Sequence, residues 1–282
     1  MAPTIRRRGA QAPLTEAQAQ LAAQAAACVV RTHEAISQFL RAGQTLAEID
    51  RFVGQTLEKL GCKSCFKGYR AGRHPPFPAH ACLSVNDTVV HGHPGSYLQP
   101  LREGDVLKVD IGVWRQGWIG DAAYTYCFGQ PDETTRRLMD CGKQALRRGI
   151  QAMQPGEPLV RWAQAIQPYV EDQCGFHMVK GLGGHAIGRR LHAPPFIANT
   201  VPTVPALEWR EANDPFTPGM LLAVEPMIAV GTGQIRQDGN AWPLRIADGS
   251  QSVHYEADVL ITEDGPKDLT AGLTDLPDVV TR

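Results

Sequence analysis

Four acidic side chains occupy positions where acids are out of place. Asp110 interrupts the apolar run Val106-Leu-Lys-Val-Asp-Ile-Gly-Val113, and Asp121 follows Gly120 in a second run that continues through Tyr124 and Tyr126 to Phe128. Glu225 interrupts Met220-Leu-Leu-Ala-Val-Glu-Pro-Met-Ile-Ala-Val230, and Glu256 stands between His254-Tyr255 and Ala257-Asp258-Val259-Leu260. An ionised carboxylate buried alone is costly, so such groups are normally paired or bound to a metal. Folding residues 105–128 as a hairpin about Arg115-Gln116 sets Asp110 opposite Asp121, where like charges repel. A divalent cation between them removes the conflict. Taken alone, Asp121 could equally cap a turn or face water; the pair in register favours metal. If the chain consists of two related halves, Glu225 and Glu256 repeat the arrangement. Four carboxylates then call for more than one divalent ion, and oxygen ligands with some imidazole suit Mn, Fe, Co or Zn.

The nine histidines are less decisive. His91 lies in Val89-Val-His-Gly-His-Pro94, His185 in Gly181-Leu-Gly-Gly-His-Ala-Ile-Gly188, and His192 in Arg189-Arg-Leu-His-Ala-Pro-Pro195. The glycines beside His91 and His185 let backbone approach a ligand closely. A lone histidine is nevertheless more often a surface or satisfied core residue. The Gly-Leu-Gly-Gly-His stretch lacks the Lys-Ser/Thr of a phosphate loop and does not match a dinucleotide fingerprint.

The elements that position these residues are legible as patterns. Thr15 to Leu40 reads as a helix with Thr15 as N-cap, and Thr45 to Leu60 as a second, with Leu46, Ile49, Val53 and Leu57 on one face. Lys143 to Met153 reads as a third helix, and the stripe Leu159, Trp162, Ile166 and Val170 as a fourth. Laying Gly43 on Gly156 superimposes the second stripe on the fourth, residue for residue, which indicates an internal repeat. Residues 105–114 and 118–128 read as strands, as do 219–230 and 254–262. The proline-bearing segments 70–79 and 193–218 read as loops. The expectation is an α+β chain of two halves, about 15–140 and 141–270, forming one catalytic domain, with tails at 1–14 and 271–282.

Composition excludes several classes. At 282 residues and 43% hydrophobic, the chain can bury a substantial core. A net charge of -1 gives no footprint for nucleic acid. No apolar run approaches the roughly 20 residues that span a bilayer. Arg6 to Arg8 are followed by small and polar residues rather than by a signal sequence, so a cytoplasmic protein is expected. The seven cysteines are scattered, as for reduced thiols, and Cys62-x-x-Cys65 lacks the second ligand pair of a zinc knuckle.

Taken in order, these segments resemble the type I methionine aminopeptidases, metallopeptidases of the pita-bread fold. The resemblance runs from about Thr15 to Gly265. It is carried by Ser84-Val-Asn-Asp-Thr-Val-Val-His-Gly-His-Pro94, Val109-Asp110 through Gly120-Asp121, Gly184-His-Ala-Ile-Gly188 with His192, Glu225-Pro226-Met227, and Tyr255-Glu256. It implies two pseudo-symmetric halves of antiparallel sheet covered by helix pairs. It implies two divalent ions (Co, Mn, Fe or Zn) held by Asp110, Asp121, His185, Glu225 and Glu256. Catalysis would involve His91, His192 and Glu225, with His91 and His192 contacting substrate rather than metal. A methionine pocket would be formed by Cys65, Tyr69, Phe77, Cys82 and Trp242. The implied activity is metal-dependent removal of the initiator methionine from nascent chains whose second residue is small, by a monomer acting at the ribosome. The sequence departs from the family at Ala186, where Gly is usual, at Leu191, where an aromatic is usual, and at Ala257-Asp258, where His-Thr is usual. The 70–79 loop is also long. These departures bear on the pocket and keep two alternatives open: a proline-specific aminopeptidase or dipeptidase of the same fold, and a non-catalytic binding protein.

Overall fold

The computed structural model describes residues 13–282. The expected N-terminal tail lies outside the described residues, apart from Pro13 and Leu14, whose amide donates to Gly219 O at 2.8 Å.

The first half opens on helix α1 (Glu16–Phe39) and helix α2 (Leu46–Lys59). Each is started by a capping box, Thr15 with Gln18 and Thr45 with Glu48, so the first amides of both helices are satisfied locally. Gly43 turns the chain between them at φ 87°, a conformation that favours glycine. Strands β1 (Lys63–Ser64), β2 (Cys82–Val85) and β3 (Thr88–Val90) follow, then the long hairpin β4 (Val106–Arg115) and β5 (Trp118–Phe128). β1 and β2 both pair with β4, and β4 pairs with β5 along its whole length. α1 and α2 pack their buried faces on this sheet, with Cys28, Val29, Ile36, Leu46, Ile49 and Val53 in one core with Val109 and Ile111.

The second half repeats the plan. Helix α3 (Glu133–Ala152) precedes helix α4 (Val160–Pro168), with Gly156 between them at φ 87°, the same angle as Gly43. Leu159, Trp162, Ile166 and Val170 are buried, as are Leu46, Ile49, Val53 and Leu57. The repeat read from the stripes is therefore a repeat of buried faces. α3 starts ten residues before the expected Lys143. Its first turns present Glu133, Arg136 and Arg137 outward, and its buried face sets Leu138, Met139 and Cys141 among small residues (Thr135, Gly142, Ala145, Gly149), so the charged opening turns conceal where the stripe begins. A Cβ on Gly142 would lie 2.6 Å from the Tyr255 ring, and one on Gly149 2.3 Å from Trp162.

The second sheet runs β15-β14-β9-β7-β8, built from β7 (Gly183–Ala186), β8 (Ala193–Ala198), β9 (Leu221–Val224), β14 (Ala257–Thr262) and β15 (Gly265–Asp268). Two three-stranded sheets flank it. One joins β6 (His177–Met178), β10 (Met227–Ala229) and β13 (Ser252–His254); the other joins β3 to β11 (Ile235–Gln237) and β12 (Leu244–Ile246). Two expectations are corrected here. Residues 193–218 are not all loop: β8 is an edge strand paired with β7, and Pro194 and Pro195 fall at the register shift between Ala193 and Phe196, where neither has a partner in the ladder. The run 219–230 is not one strand but β9 and β10, divided at Glu225-Pro226, and 254–262 is likewise divided at Tyr255-Glu256.

The halves meet along β5 and β14. Glu256 N donates to Ala123 O at 3.0 Å, and Asp121 N to Asp258 Oδ2 at 3.0 Å. Residues 271–282, set apart as a tail on sequence grounds, lie against the body: β16 (Val279–Val280) pairs in parallel with β5, and Leu273 and Val280 are buried. No described helix is long and apolar enough to cross a membrane.

Candidate metal centre and active site

The two acidic pairs are presented by different register devices. The β4–β5 hairpin turns at Gln116-Gly117, both at positive φ (49° and 83°), as a two-residue turn requires. Arg115 therefore faces Trp118, Asp110 pairs with Ala123, and Asp121 pairs with Gly112. The expectation that Asp110 lies directly opposite Asp121 is corrected: they are diagonal neighbours on one face, within reach of each other but not in direct confrontation. Glu225 and Glu256 are the directly opposed pair. Val224 pairs with Ala257 and Met227 with His254, so the same register carried through the gap sets Glu225 across from Glu256. Both glutamates thus sit where a strand leaves one sheet for another.

His185 lies on β7 beside β9, paired with Ala223. Ring atoms of His185 and carboxylate oxygens of Asp121 and Glu256 all fall within 4.8 Å of one another, and all three residues are buried. His185 Nδ1 lies 3.2 Å from Ala186 O. A carbonyl only accepts, so Nδ1 carries the proton and Nε2 keeps its lone pair, the state of a metal-binding imidazole. Nε2 lies 3.8 Å from Glu225 Oε1.

These residues fit a cation. Asp110 Oδ1 and Asp121 Oδ1 are buried with no hydrogen-bond partner. Asp110, Asp121, Glu225 and Glu256 line one cavity of about 590 Å³, and no described lysine or arginine lines it. Burial, and then the charge of Glu225, raises the Asp110 carboxyl to about 8. Asp121, Glu225 and Glu256 are likewise pushed well above the carboxylate range, by burial first and by one another second. Burial pushes the His185 ring down to about 3, helped by His192. Crowded acids without a counter-charge, beside a neutral imidazole with a free nitrogen, form a donor set for divalent metal.

Around this floor the cavity is lined by Phe66, Tyr69, Phe77, Cys82, His91, Leu191, His192 and Trp242. His192 Nδ1 is hydrogen-bonded to Tyr69 Oη at 2.7 Å, and its ring lies 4.4 Å from that of His185. His91 holds φ 59° and meets the Trp242 ring edge-on at 5.7 Å. Burial pushes the His91 ring down to about 4. The long 70–79 loop is fastened across the cavity: Trp242 Nε1 donates to Pro75 O at 2.8 Å, and His74 stacks on Trp242 at 4.7 Å.

The structure brings together all five expected ligands, both expected substrate histidines, and Tyr69, Phe77, Cys82 and Trp242. Cys65 is set back. Its Sγ packs against Gly112, where a Cβ would lie 2.3 Å away, and Phe66 forms the wall in its place. All seven cysteines are free. Two buried residues beside the acids were not singled out from the sequence. His254 lines the cavity with Nε2 3.2 Å from Glu225 Oε2, and Asp258 accepts the Asp121 amide. Asp258 carried the same signal as the four acids, a carboxylate within the apolar run 257–261, and was read only as a departure from the family. His254 had no such signal, and only the register shows what it faces.

Residues 20–263 match the metallopeptidase family M24, and the chain belongs to that family. Within it, this chain is similar to several methionine aminopeptidases. That of Aquifex aeolicus is 33% identical over 83% of this chain and 89% of its own. Methionine aminopeptidase 1 of Mycobacterium tuberculosis is 34% identical over 96% and 100%. Among solved structures, methionine aminopeptidase of Thermotoga maritima matches with TM-score 0.83 and 32% identity over 92% of this chain and 98% of that one. An X-Pro aminopeptidase of Thermotoga maritima, at TM-score 0.71, 18% identity and 63% of its length, shares the fold alone. The α+β pita-bread arrangement implied by the resemblance is the one observed.

Proposed function

We propose that this chain removes the N-terminal methionine from polypeptides whose second residue is small, by metal-dependent hydrolysis of the first peptide bond. The observation that carries the reading is the partly orphaned acidic floor beside His185, set beneath a narrow apolar wall. We assign Asp110, Asp121, His185, Glu225 and Glu256 as ligands of two divalent ions. When bound, such ions lower the pKa of a water and polarise the carbonyl it attacks.

The chain's own residues supply the rest. Glu225 takes the proton of the attacking water on a carboxylate oxygen. His192, oriented by Tyr69 through Nδ1, offers its other nitrogen to the carbonyl oxygen as charge develops there. His91 contacts the peptide nitrogen and assists departure of the amine. Tyr69, Phe77, Cys82 and Trp242 receive the methionine side chain, whose thioether suits soft and aromatic surroundings. Cys65 supports that wall from behind through Phe66 and Gly112. The enzyme acts in the cytoplasm as a monomer on emerging chains.

A peptide panel varying the first two residues, run with Mn, Fe, Co and Zn, tests the reading. Met-Ala and Met-Ser peptides should be cleaved and Xaa-Pro peptides with other first residues should not. The reverse preference would assign the chain to proline-specific chemistry. A folded protein that binds no metal would make it a binding protein.

A further inference from the structure

His254 is the buried histidine of the cavity that the foregoing reading leaves without a task. It is 2% exposed. Its backbone is clamped by one side chain: Thr125 Oγ1 donates to His254 O at 2.7 Å and accepts from His254 N at 3.1 Å. Pairing with Met227 on β10 holds the strand from its other edge. From this fixed base the ring reaches Glu225, with Nε2 3.2 Å from Oε2. No aligned hydrogen-bond partner satisfies that buried nitrogen. The contact with Glu225 is a close but oblique approach, short enough for a hydrogen bond and not yet directed as one. A purely structural histidine in this protein looks different: His33 Nε2 bonds the backbone, 3.2 Å from Ala122 O.

The Glu225 carboxylate therefore lies between two imidazoles, one at each oxygen, with His185 Nε2 at Oε1 and His254 Nε2 at Oε2. The two rings are not equivalent. In His185 the bond to Ala186 O places the proton on Nδ1 and leaves a lone pair at Nε2. In His254 the group facing Nε2 is Glu225, which as a metal ligand is an ionised carboxylate and only accepts. A lone pair there would face negative oxygen; a proton there makes a charge-assisted bond.

We propose that His254 is a positioning residue, whose Nε2–H donates to Glu225 Oε2 and fixes the carboxylate so that Oε1 is presented beside His185. The proposal rests on the assignment of Glu225 as metal ligand and proton acceptor. Hydrogen-bond partners of metal ligands commonly change metal affinity or activity by roughly 10–100-fold.

The test uses the full chain, stripped of metal and titrated with Co(II) by calorimetry. The visible absorption of the cobalt form is recorded, together with kcat and KM on a Met-Ala peptide. His254→Leu should bind cobalt about 10-fold more weakly or worse, shift the cobalt absorption, and lower kcat more than it raises KM. His254→Gln places an amide N–H at similar reach and should recover most of the affinity and the wild-type absorption. If His254→Leu behaves as wild type, or if His254→Gln is as impaired as His254→Leu, the proposal is overturned. Glu225→Gln separates the two levels of failure: wild-type cobalt affinity in that variant would sink the ligand assignment itself, and the proposal with it. Should His254→Leu not fold, nitrogen NMR of the zinc-loaded wild-type protein with labelled histidine decides. The Nε2–H tautomer is expected for His254, and the Nδ1–H tautomer would refute the role.

Discussion

At the scale of single residues, the bond of 2.7 Å between Tyr69 Oη and His192 Nδ1 commits one ring nitrogen and leaves the other to the cavity. Tyr69→Phe keeps the ring and removes the tether. Losing one such hydrogen bond is worth about 1 kcal/mol, so kcat should fall roughly 5- to 10-fold while metal content stays at the wild-type level. Metal analysis beside steady-state kinetics checks both halves of that statement. His192→Ala should also retain metal and lose most turnover, whereas Asp110→Ala or Glu256→Ala should lose metal and nearly all activity. A His192→Ala protein that bound no metal would show the histidines to be wrongly divided. The acids were legible in the sequence because each breaks an apolar pattern. Asp258 breaks its pattern in the same way and was passed over; His254 was not legible, because a histidine at a strand end has no single meaning until its neighbours across the sheet are known.

At the scale of elements, the same contrast follows from register. The hairpin was readable from two apolar runs around Arg115-Gln116-Gly117, but its pivot was one residue away from the expected place. Only Gly117 readily supplies the second positive φ of the turn, so the pivot falls at Gln116-Gly117 and every partner shifts by two residues. A shift of two preserves the face, so Asp110 and Asp121 still share one side of the hairpin in the observed register. The edge strand β8 was hidden by its prolines, and the early turns of α3 by their charge. Close approach of helix and hairpin gives a further test. A Cβ on Gly120 would lie 2.6 Å from Ala26 N and 2.7 Å from Ala25 C, both backbone atoms of α1 that cannot rotate away. Gly120→Ala should therefore push α1 from β5 and destabilise the fold by about 1–3 kcal/mol in denaturant unfolding. Because Asp121 is the next residue, metal affinity should fall as well. A variant of wild-type stability would mean that the helix is free to slide.

At the scale of the whole molecule, the metal centre should govern how stability depends on pH. Burial, reinforced by mutual repulsion, raises the carboxyls of Asp110, Asp121, Glu225, Glu256 and Asp258 in the metal-free fold, that of Asp110 to about 8. A carboxyl with a raised folded-state pKa favours the fold while it is protonated, and that contribution is lost as pH rises from its unfolded value through its folded one. Buried histidines act in the opposite sense. His185 and His254 are pushed by burial to about 3, and His33 and His91 to about 4, from an ordinary 6.5. Their neutral forms favour the fold, and that stability is lost as pH falls below 6.5. The two effects compete in the acid range. Above 6.5 the carboxyls are opposed by Lys108, whose ammonium burial lowers to about 7, so that its cost to the fold is relieved as pH rises further. One lysine offsets only one of the five raised carboxyls, and the net slope stays negative. The metal-free protein should therefore lose melting temperature as pH rises from 6.5 through about 8. Metal binding replaces the protons, so the loaded protein should hold its melting temperature over the same range, and loading near pH 7 should release protons. Calorimetric titration in two buffers of different ionisation enthalpy measures that release, and thermal melts of both forms measure the pH slope. A metal-free melting temperature that stays level from 6.5 to about 8 would mean that the acids are already ionised and balanced by the chain itself, and the argument for a cation between them would lose its electrostatic basis.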